Sequence, residues 1–460
     1  MQMRTLALIA GLGLAAAACK DSTSVGDLNN VSADALAGGL TRSSTGLLVT
    51  GLLSASRGEL DSRYLVFTET MARDFYRLDN AEARYITEII GVPADFSAFT
   101  GGGAFSNQYI TIRSANTILN SLGAAAGMSA AEVSATAGLV NTFKALAYYR
   151  VLETRDSLGI AIDVNHPIND PPAGFVCKPN ALAYISALLD TAATQLGAGG
   201  TAFPFTLPAG FKSNGNFSTP AAFLKVNRGL KGKVELYRGL EHSKPNAGSF
   251  ATALTALNAS FADPAAAMDV GIYNTYSTSS NDATNPLADA NIYLNPAVGD
   301  SIQAGDKRSA KILTVASKTL NGVTSKYKTV NTDPSGALTK SIAILKNAEL
   351  LLLRAEVKIE TGDFVGATAD INAVRVADGG LAPLPLLATK RAARDALLYE
   401  KRYSLLGESA HRLVDLRAFG WLNATFLKKE IPTDVFQSTL PIPKRELDAR
   451  NTTTITPTCS

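Results

Sequence analysis

Apolar residues along most of this chain recur at intervals of three and four, the spacing of a helix with one buried face. In AGLVNTFKALAYYRVLETRD, Leu139, Phe143, Leu146 and Tyr149 or Arg150 share a face, and NALAYISALLDTAATQL is a second amphipathic segment, so the two read as a pair. FLKVNRGLKGKVELYRGLE from Phe223 and SFATALTALNASF from Ser249 form a second pair. The third is the clearest. In LKNAELLLLRAEVKIETGDFVGATADINAVRVADGG one helix runs to Ile359, stops at Thr361-Gly362-Asp363, and another runs from Phe364 to about Ala377. Gly362 can take the positive φ that closes a helix, and Asp363 can cap the next one. Ala355, Ala367 and Ala373 fall where two antiparallel helices must approach closely.

The helix-Gly-Asp-helix pattern resembles a tetratricopeptide unit, and it predicts a mainly α protein: a tetratricopeptide-like helix-pair scaffold with a long loop-rich insert. The insert, about residues 263–339, includes YNTYSTSSNDATNPLADANIYLNP and is read as loop with short strands. Connections of this length inside a compact domain are usually functional or mobile. Beyond the third pair, Arg391 to Leu406 has helical spacing, with Leu397, Leu398, Leu405 and Leu406 inward and Arg391, Arg394, Lys401 and Arg402 outward. GESAHRLVDLRAFGW follows, with Arg412, Asp415 and Arg417 three and two residues apart. An acid between two guanidiniums suits bidentate ion pairing, which makes Asp415 an acceptor and a poor general base. The expected role of Glu408, Arg412, Asp415 and Arg417 is therefore a structural ion-pair motif.

The chain start has another character. Arg4 precedes the apolar run LALIAGLGLAAAA, too short to span a bilayer and of the length of a signal-peptide core. Small residues then lead to Cys19, after which KDSTSVGDLNN is polar without helical period. This resembles a bacterial lipoprotein signal over residues 1–18, with Cys19 as the acylated first residue of a single domain spanning 19–460. An acyl chain contributes about 0.8 kcal/mol per buried CH₂, enough in multiple to hold the protein on a membrane. Cys177 and Cys459 then remain in a disulfide-permissive compartment, either paired or as two buried thiols.

Charge and composition remove other classes. With 43 basic and 40 acidic residues, a formal charge of +3, and no Lys/Arg run, nothing marks a nucleic-acid partner. The three histidines, His166, His242 and His411, have no metal-ligand spacing, and no metal or cofactor is expected. GGGAF at Gly101 lacks the Lys-Ser/Thr of a phosphate loop.

The C-terminal half carries a family resemblance. EKRYSLLGESAHRLVDLRAFG, preceded by the tetratricopeptide-like AEVKIETGDFVGATADINAVR and followed by LPIPKRELDAR, resembles the SusD/RagB lipoproteins. Glu400, Arg402, Glu408, Arg412, Asp415, Leu416 and Arg417 fall on the family pattern, as do Leu440, Pro441, Ile442, Pro443 and Glu446; Ser404 and Ser409-Ala410 depart from it. ETMARDFYRLDN from Glu69 and YITIRSANTILNSL from Tyr109 resemble N-terminal elements of the same family. The resemblance implies a SusD-like α-α superhelix divided into an N-terminal ligand-loop region (about 19–130), helix pairs (about 131–262 and 340–378), the insert, and a C-terminal region (about 379–460). It implies a lipid-anchored protein on the outer membrane facing the cell exterior. Such a protein captures an oligosaccharide or peptide nutrient and delivers it to a TonB-dependent, SusC-like barrel, without chemistry of its own.

Ligand candidates follow by region rather than by motif. They are Asp74, Tyr76, Arg84, Tyr85, Phe99, Asn107 and Tyr109 in the N-terminal region, with Tyr273, Tyr276 and Tyr293 in the insert; Trp421 is expected to pack in the core. Two other readings compete. A tetratricopeptide envelope scaffold would bind no small ligand, but repeat arrays rarely interrupt themselves with so long an insert. A glycan-degrading enzyme would need two carboxylates about 5 to 10 Å apart in a cleft, for which Glu69 with Asp74 is the nearest candidate pair.

Overall fold

Helix starts and stops follow local capping chemistry. The computed structural model describes residues 40–58, 60, 62–91, 98–167 and 169–459; the leader and Cys19 lie outside them. Helix α1 (Arg42–Gly58) and α2 (Gly103–Leu122) lead to the longest helix, α3 (Ala130–Arg155). Ser129 opens α3 with a capping box: Glu132 N donates to Ser129 Oγ at 3.3 Å and Ser129 N donates to Glu132 Oε2 at 2.9 Å. From Ala135 to Arg155 every residue of α3 is buried, so this helix is the axis of the core and not a surface element.

The remaining helices come in pairs around it: α4 (Lys178–Gly197) packs on α3, then α5 (Pro220–Gly239) on α6 (Gly248–Asn258), and α7 (Asn347–Thr361) on α8 (Phe364–Ala377). These are the three pairs expected from spacing. At Gly138 a Cβ would lie 2.7 Å from Leu196 Cγ and 2.9 Å from Ala192 O, so glycine allows α3 and α4 to touch. Between α7 and α8, Gly362 has φ 85°, and Gly366 N donates to Asp363 Oδ1 at 2.8 Å, as the turn chemistry requires. Two further helices, α9 (Lys390–Ser404) and α10 (His411–Ala418), cover the last pair and the end of α3.

All sheets among the described residues are two-stranded and antiparallel. They are β1 (Phe75–Arg77) with β5 (Ile292–Leu294), β2 (Ile160–Ala161) with β3 (Phe175–Val176), β4 (Gly271–Asn274) with β8 (Ile342–Lys346), and β6 (Ile312–Leu320) with β7 (Val323–Thr329). The insert is thus less loop-rich than expected. Its second half is a hairpin turned by Asn321 (φ 49°) and Gly322 (φ 84°), two residues that accept a left-handed backbone. The hairpin covers a small second core of Tyr76, Leu78, Ile86, Ile90, Tyr293 and Val323.

The C-terminal motif is architectural, but its pairing differs from the sequence expectation. Asp415 does not bind Arg412 or Arg417. It accepts from Lys401 Nζ at 3.0 and 3.1 Å and from Tyr237 Oη at 2.6 Å, while Lys401 also pairs with Glu356. Lys401, expected outward, is 3% exposed. Arg412 instead reaches Asp74 at 3.2 Å and Ala72 O at 3.1 Å, and Arg402 donates to Asp74 at 2.8 Å. Arg417 donates to Ser438 O and Glu153 O, and Glu408 pairs with Lys346. Asp415 and Arg417, two apart on one short helix, point to different sides, and Arg412, although one turn from Asp415, reaches Asp74 on another element, while Asp415 finds its counter-charge in Lys401. Cys177, the N-cap of α4, is disulfide-bonded to Cys459, with Cα atoms 5.3 Å apart.

Candidate functional site

One cleft joins three segments far apart in sequence. Thr50, Leu53, Ser54 and Arg57 recur along one face of α1 at three- and four-residue spacing and form its first wall. β4 and the chain after it supply Tyr273, Asn274 and Thr275, then Asn281 and Asp282, as the second. Phe143 of α3, with Pro208, Phe211 and Ile344, makes an apolar floor, and the cavity so enclosed is about 220 Å³.

Arg57 ties the walls together. Its Nη1 donates to Thr275 O at 2.6 Å, its Nη2 donates to Asp282 Oδ1 at 2.6 Å, and its guanidinium lies 5.4 Å from the Tyr276 ring centre. The Arg57 hydrogen bond holds the Asp282 carboxyl below its usual range, so it is an anion at neutral pH. Tyr273 is half-buried at the rim, its hydroxyl donating to Asp269 O at 2.6 Å; burial pushes the phenols of Tyr273 and Tyr276 upward, so both stay neutral donors. Arg57 Nε and Asn274 Nδ2 have no protein acceptor, although Asn274 is only 7% exposed. A buried amide donor without an acceptor costs free energy unless a ligand or water meets it. With its net charge internally balanced, its amides and hydroxyls, and its aromatic floor, the cleft suits a neutral polyhydroxylated molecule better than a charged one.

The sequence candidates separate into groups. Tyr273 borders this cleft, and Tyr276 lies buried behind Arg57. Tyr76, Tyr85, Arg84, Phe99 and Tyr293 come together at the β1–β5 ladder, where Tyr76 stands opposite Tyr293 across 217 residues of chain. There Tyr85 and Phe99 pack edge to face at 5.0 Å, Arg77 lies 4.5 Å over Tyr85, and Arg84 lies 4.4 Å over Phe99. Arginines from the same chain therefore cover the ring faces a sugar would stack on. Tyr76 has no exposed surface and accepts from Asn295 Nδ2 at 2.5 Å; Tyr293 is buried beneath Lys328. Both belong to the small second core, because a strand pairing turns alternate side chains inward.

Asp74 is a correction of the same kind: it is 2% exposed and held by Arg402 and Arg412. Burial, with the Asp74 charge beside it, pushes the Glu69 carboxyl well up. The space these two acids share is about 10 Å³, room for about one water and not for a sugar. Tyr109 is engaged with β2, its hydroxyl donating to Ala161 O at 2.8 Å, and Asn107 is half-buried on α2. Trp421 is half-buried and packs against the main core, as expected, stacking on Phe426 at 4.9 Å beneath Arg391. Sequence reasoning missed Arg57, Asn274, Asn281 and Asp282; a single Arg near a helix end and an Asn-Asp step in a polar loop carry no local signal of a site.

Among the described residues no group of three His, Cys, Asp or Glu is placed to hold a metal ion, and no helix is long and apolar enough to cross a membrane.

No protein-family model matches the sequence, and no curated protein is similar to it. Solved structures are. A SusD superfamily protein from Bacteroides thetaiotaomicron superposes with a TM-score of 0.68 over 90% of this chain and 98% of its own, at 15% identity. A surface glycan-binding protein A from Bacteroides fluxus gives 0.63 over 88% and 96%, at 16% identity. A laminarin-binding SusD-like protein gives 0.62 over 90% and 99%, also at 16% identity. The chain therefore shares the fold of these SusD-like structures, a tetratricopeptide-like helical scaffold.

Proposed function

We propose that this protein is a surface-exposed, lipid-anchored glycan-binding subunit of the SusD type. It holds an oligosaccharide in the cleft between α1 and the insert and delivers it to a TonB-dependent outer-membrane barrel, without performing chemistry. The observation that carries the reading is the conjunction of the SusD-like fold with a charge-balanced cleft lined by Tyr273, Asn274, Thr275 and Asn281 over an aromatic floor. The names of two structural relatives, a surface glycan-binding protein and a laminarin-binding protein, favour a glycan over a peptide. The lipoprotein-like stretch ending at Cys19 supports the anchor.

Affinity electrophoresis of the soluble domain through gels containing laminarin, starch, pectin or mucin tests the ligand class. One polysaccharide is expected to retard the protein, and Asn274→Ala and Arg57→Ala are expected to reduce that retardation at least tenfold in apparent affinity, as loss of one or two hydrogen bonds would. No retardation by any glycan, together with binding of a peptide mixture, would overturn the glycan assignment. Detergent pull-down of the full acylated chain tests the partner, and recovery without a barrel would overturn that part.

A further inference from the structure

A second cleft, of about 210 Å³, shares no residue with the first. Phe105, Tyr109 and Arg113 recur at four-residue spacing along one face of α2 and form one wall. The chain between β2 and β3 supplies Val164, His166, Pro172 and Ala173. Glu446 and Arg450, one turn apart at a last short helix, α11 (Lys444–Ala449), complete the lining. Of the ligand candidates in the sequence, only Tyr109 borders this cleft.

Each of these segments is fastened to the next. Tyr109 Oη donates to Ala161 O at 2.8 Å and accepts from Ala161 N at 3.0 Å. Asn116 Nδ2 donates to Val164 O at 3.5 Å, and Asn120 and Asn165 exchange hydrogen bonds at 2.9 and 3.2 Å, so the chain after β2 is strapped along α2. Arg450 Nη1 donates to Pro172 O at 3.3 Å. Beyond α11 the chain returns to β3, where Cys177 N donates to Thr458 O at 3.0 Å and Thr458 N to Phe175 O at 2.8 Å, beside the Cys177–Cys459 disulfide. The cleft is therefore formed before any ligand arrives, which spares the free energy of ordering it on binding.

Charge and lining together select the ligand. The charged groups that border the cleft are Arg113, Arg450 and Glu446. Arg450 pairs with Glu446 at 3.3 Å, whereas Arg113 is exposed and has no ion pair among the described residues. Of the acids close by in sequence, Asp448 pairs with Lys444, and Asp163 and Asp170 are exposed outside the lining. One positive charge is left over. Much of the remaining surface is carbon: the Tyr109 hydroxyl is already used in both directions, which leaves its ring, 4.6 Å from that of Phe105, with Val164, Pro172 and Ala173 around it. A polyol would lose hydrogen bonds against such walls, and a bare inorganic anion would leave them unfilled. An apolar cavity of about 150 Å³ admits benzene, so one ring fits. We infer that this cleft is a second ligand site, distinct from the glycan cleft, for a small aromatic carboxylate whose ring lies against Phe105 and Tyr109 and whose carboxylate pairs with the Arg113 guanidinium.

The test is titration of the disulfide-intact soluble domain with benzoate, benzamide and glucuronate, followed by ligand-observed NMR. Benzoate is expected to bind, and to bind more weakly as salt is added. Benzamide, which keeps the ring and lacks the charge, and glucuronate, which keeps the carboxylate on a polyol, are each expected to bind at least tenfold more weakly. Arg113→Gln, at an exposed side chain whose loss leaves the fold intact, is expected to bring benzoate down to the level of benzamide, and Arg113→Lys to restore part of the difference. Ala173→Trp, which fills the cleft, is expected to abolish binding. Arg57→Ala is expected to leave benzoate unchanged, so failure of the glycan reading would not register here. Absence of benzoate binding, benzamide or glucuronate binding as well as benzoate, or undiminished benzoate binding by Arg113→Gln would each overturn the inference.

Discussion

Replacing Lys401 with Met probes the polar centre of the fold. The ammonium sits between Glu356 and Asp415, both without exposed surface, and contacts the Asp415 oxygens at 3.0 and 3.1 Å. Met keeps most of the aliphatic volume, so the change is mainly electrostatic. At an effective dielectric of about 20, unit charges 3 Å apart attract by about 5 kcal/mol, part of which is offset by the desolvation the lysine no longer undergoes. Removing one partner of a buried pair costs about 3–5 kcal/mol in practice. Two carboxylates would then share a single donor, Tyr237 Oη. Burial already raises the Glu356 carboxyl from 4.5 to about 8, with Asp415 adding to the rise. Because that folded pKa lies above the unfolded one, the group's contribution to stability is complete below about pH 4.5 and is lost as pH rises through about 8. Without Lys401 the Glu356 pKa rises further, so the variant is expected to lose about 3–5 kcal/mol at pH 8.5 and distinctly less at pH 5 in urea unfolding followed by circular dichroism. Adding Glu356→Gln, which needs no counter-charge, is expected to restore at least half of the loss. A deficit under about 1 kcal/mol at pH 8.5, a deficit equal at both pH values, or no rescue by Gln would refute this account of the centre.

Three other outcomes are expected. Cys177→Ser, which opens a 282-residue loop, should lower stability by about 2–5 kcal/mol, read as a fall in Tm that dithiothreitol reproduces in the wild type. Gly322→Val at φ 84° should cost about 1–3 kcal/mol by straining the β6–β7 turn, visible as faster amide exchange in the hairpin with α7 and α8 unaffected. Asp74→Ala, which leaves Arg402 and Arg412 facing each other, should cost about 3–5 kcal/mol. The folded fraction should keep its glycan affinity, and a variant that is stable but no longer binds would return Asp74 to the ligand site.

The elements legible in the sequence are those whose determinants are local. The three helix pairs carry their own period, and the α7–α8 turn carries its glycine and its capping aspartate, so spacing alone finds them. The β6–β7 hairpin was equally local, since Asn321-Gly322 is the strongest short turn signal. Reading its Thr- and Ser-rich flanks as polar loop concealed it, because a two-stranded ribbon at the surface needs only one lightly apolar face. What no window can show is which distant charge answers which. Asp415 is two residues from Arg417 in the chain and bonds neither it nor Arg412, because the counter-charge with matching burial comes from α9. The same arithmetic governs the clefts: Arg57 and Asp282 are 225 residues apart, and Tyr109 and Arg450 line one cleft only after α11 folds back on α2. Aromatic content singles out residues that the fold treats differently: strand pairing at β1–β5 buries Tyr76 and Tyr293, while Tyr273, in the same insert, stays at a cleft rim. A site assembled from amides and a single arginine is therefore found by asking which buried donors lack acceptors, a question that has an answer only once the chain is folded.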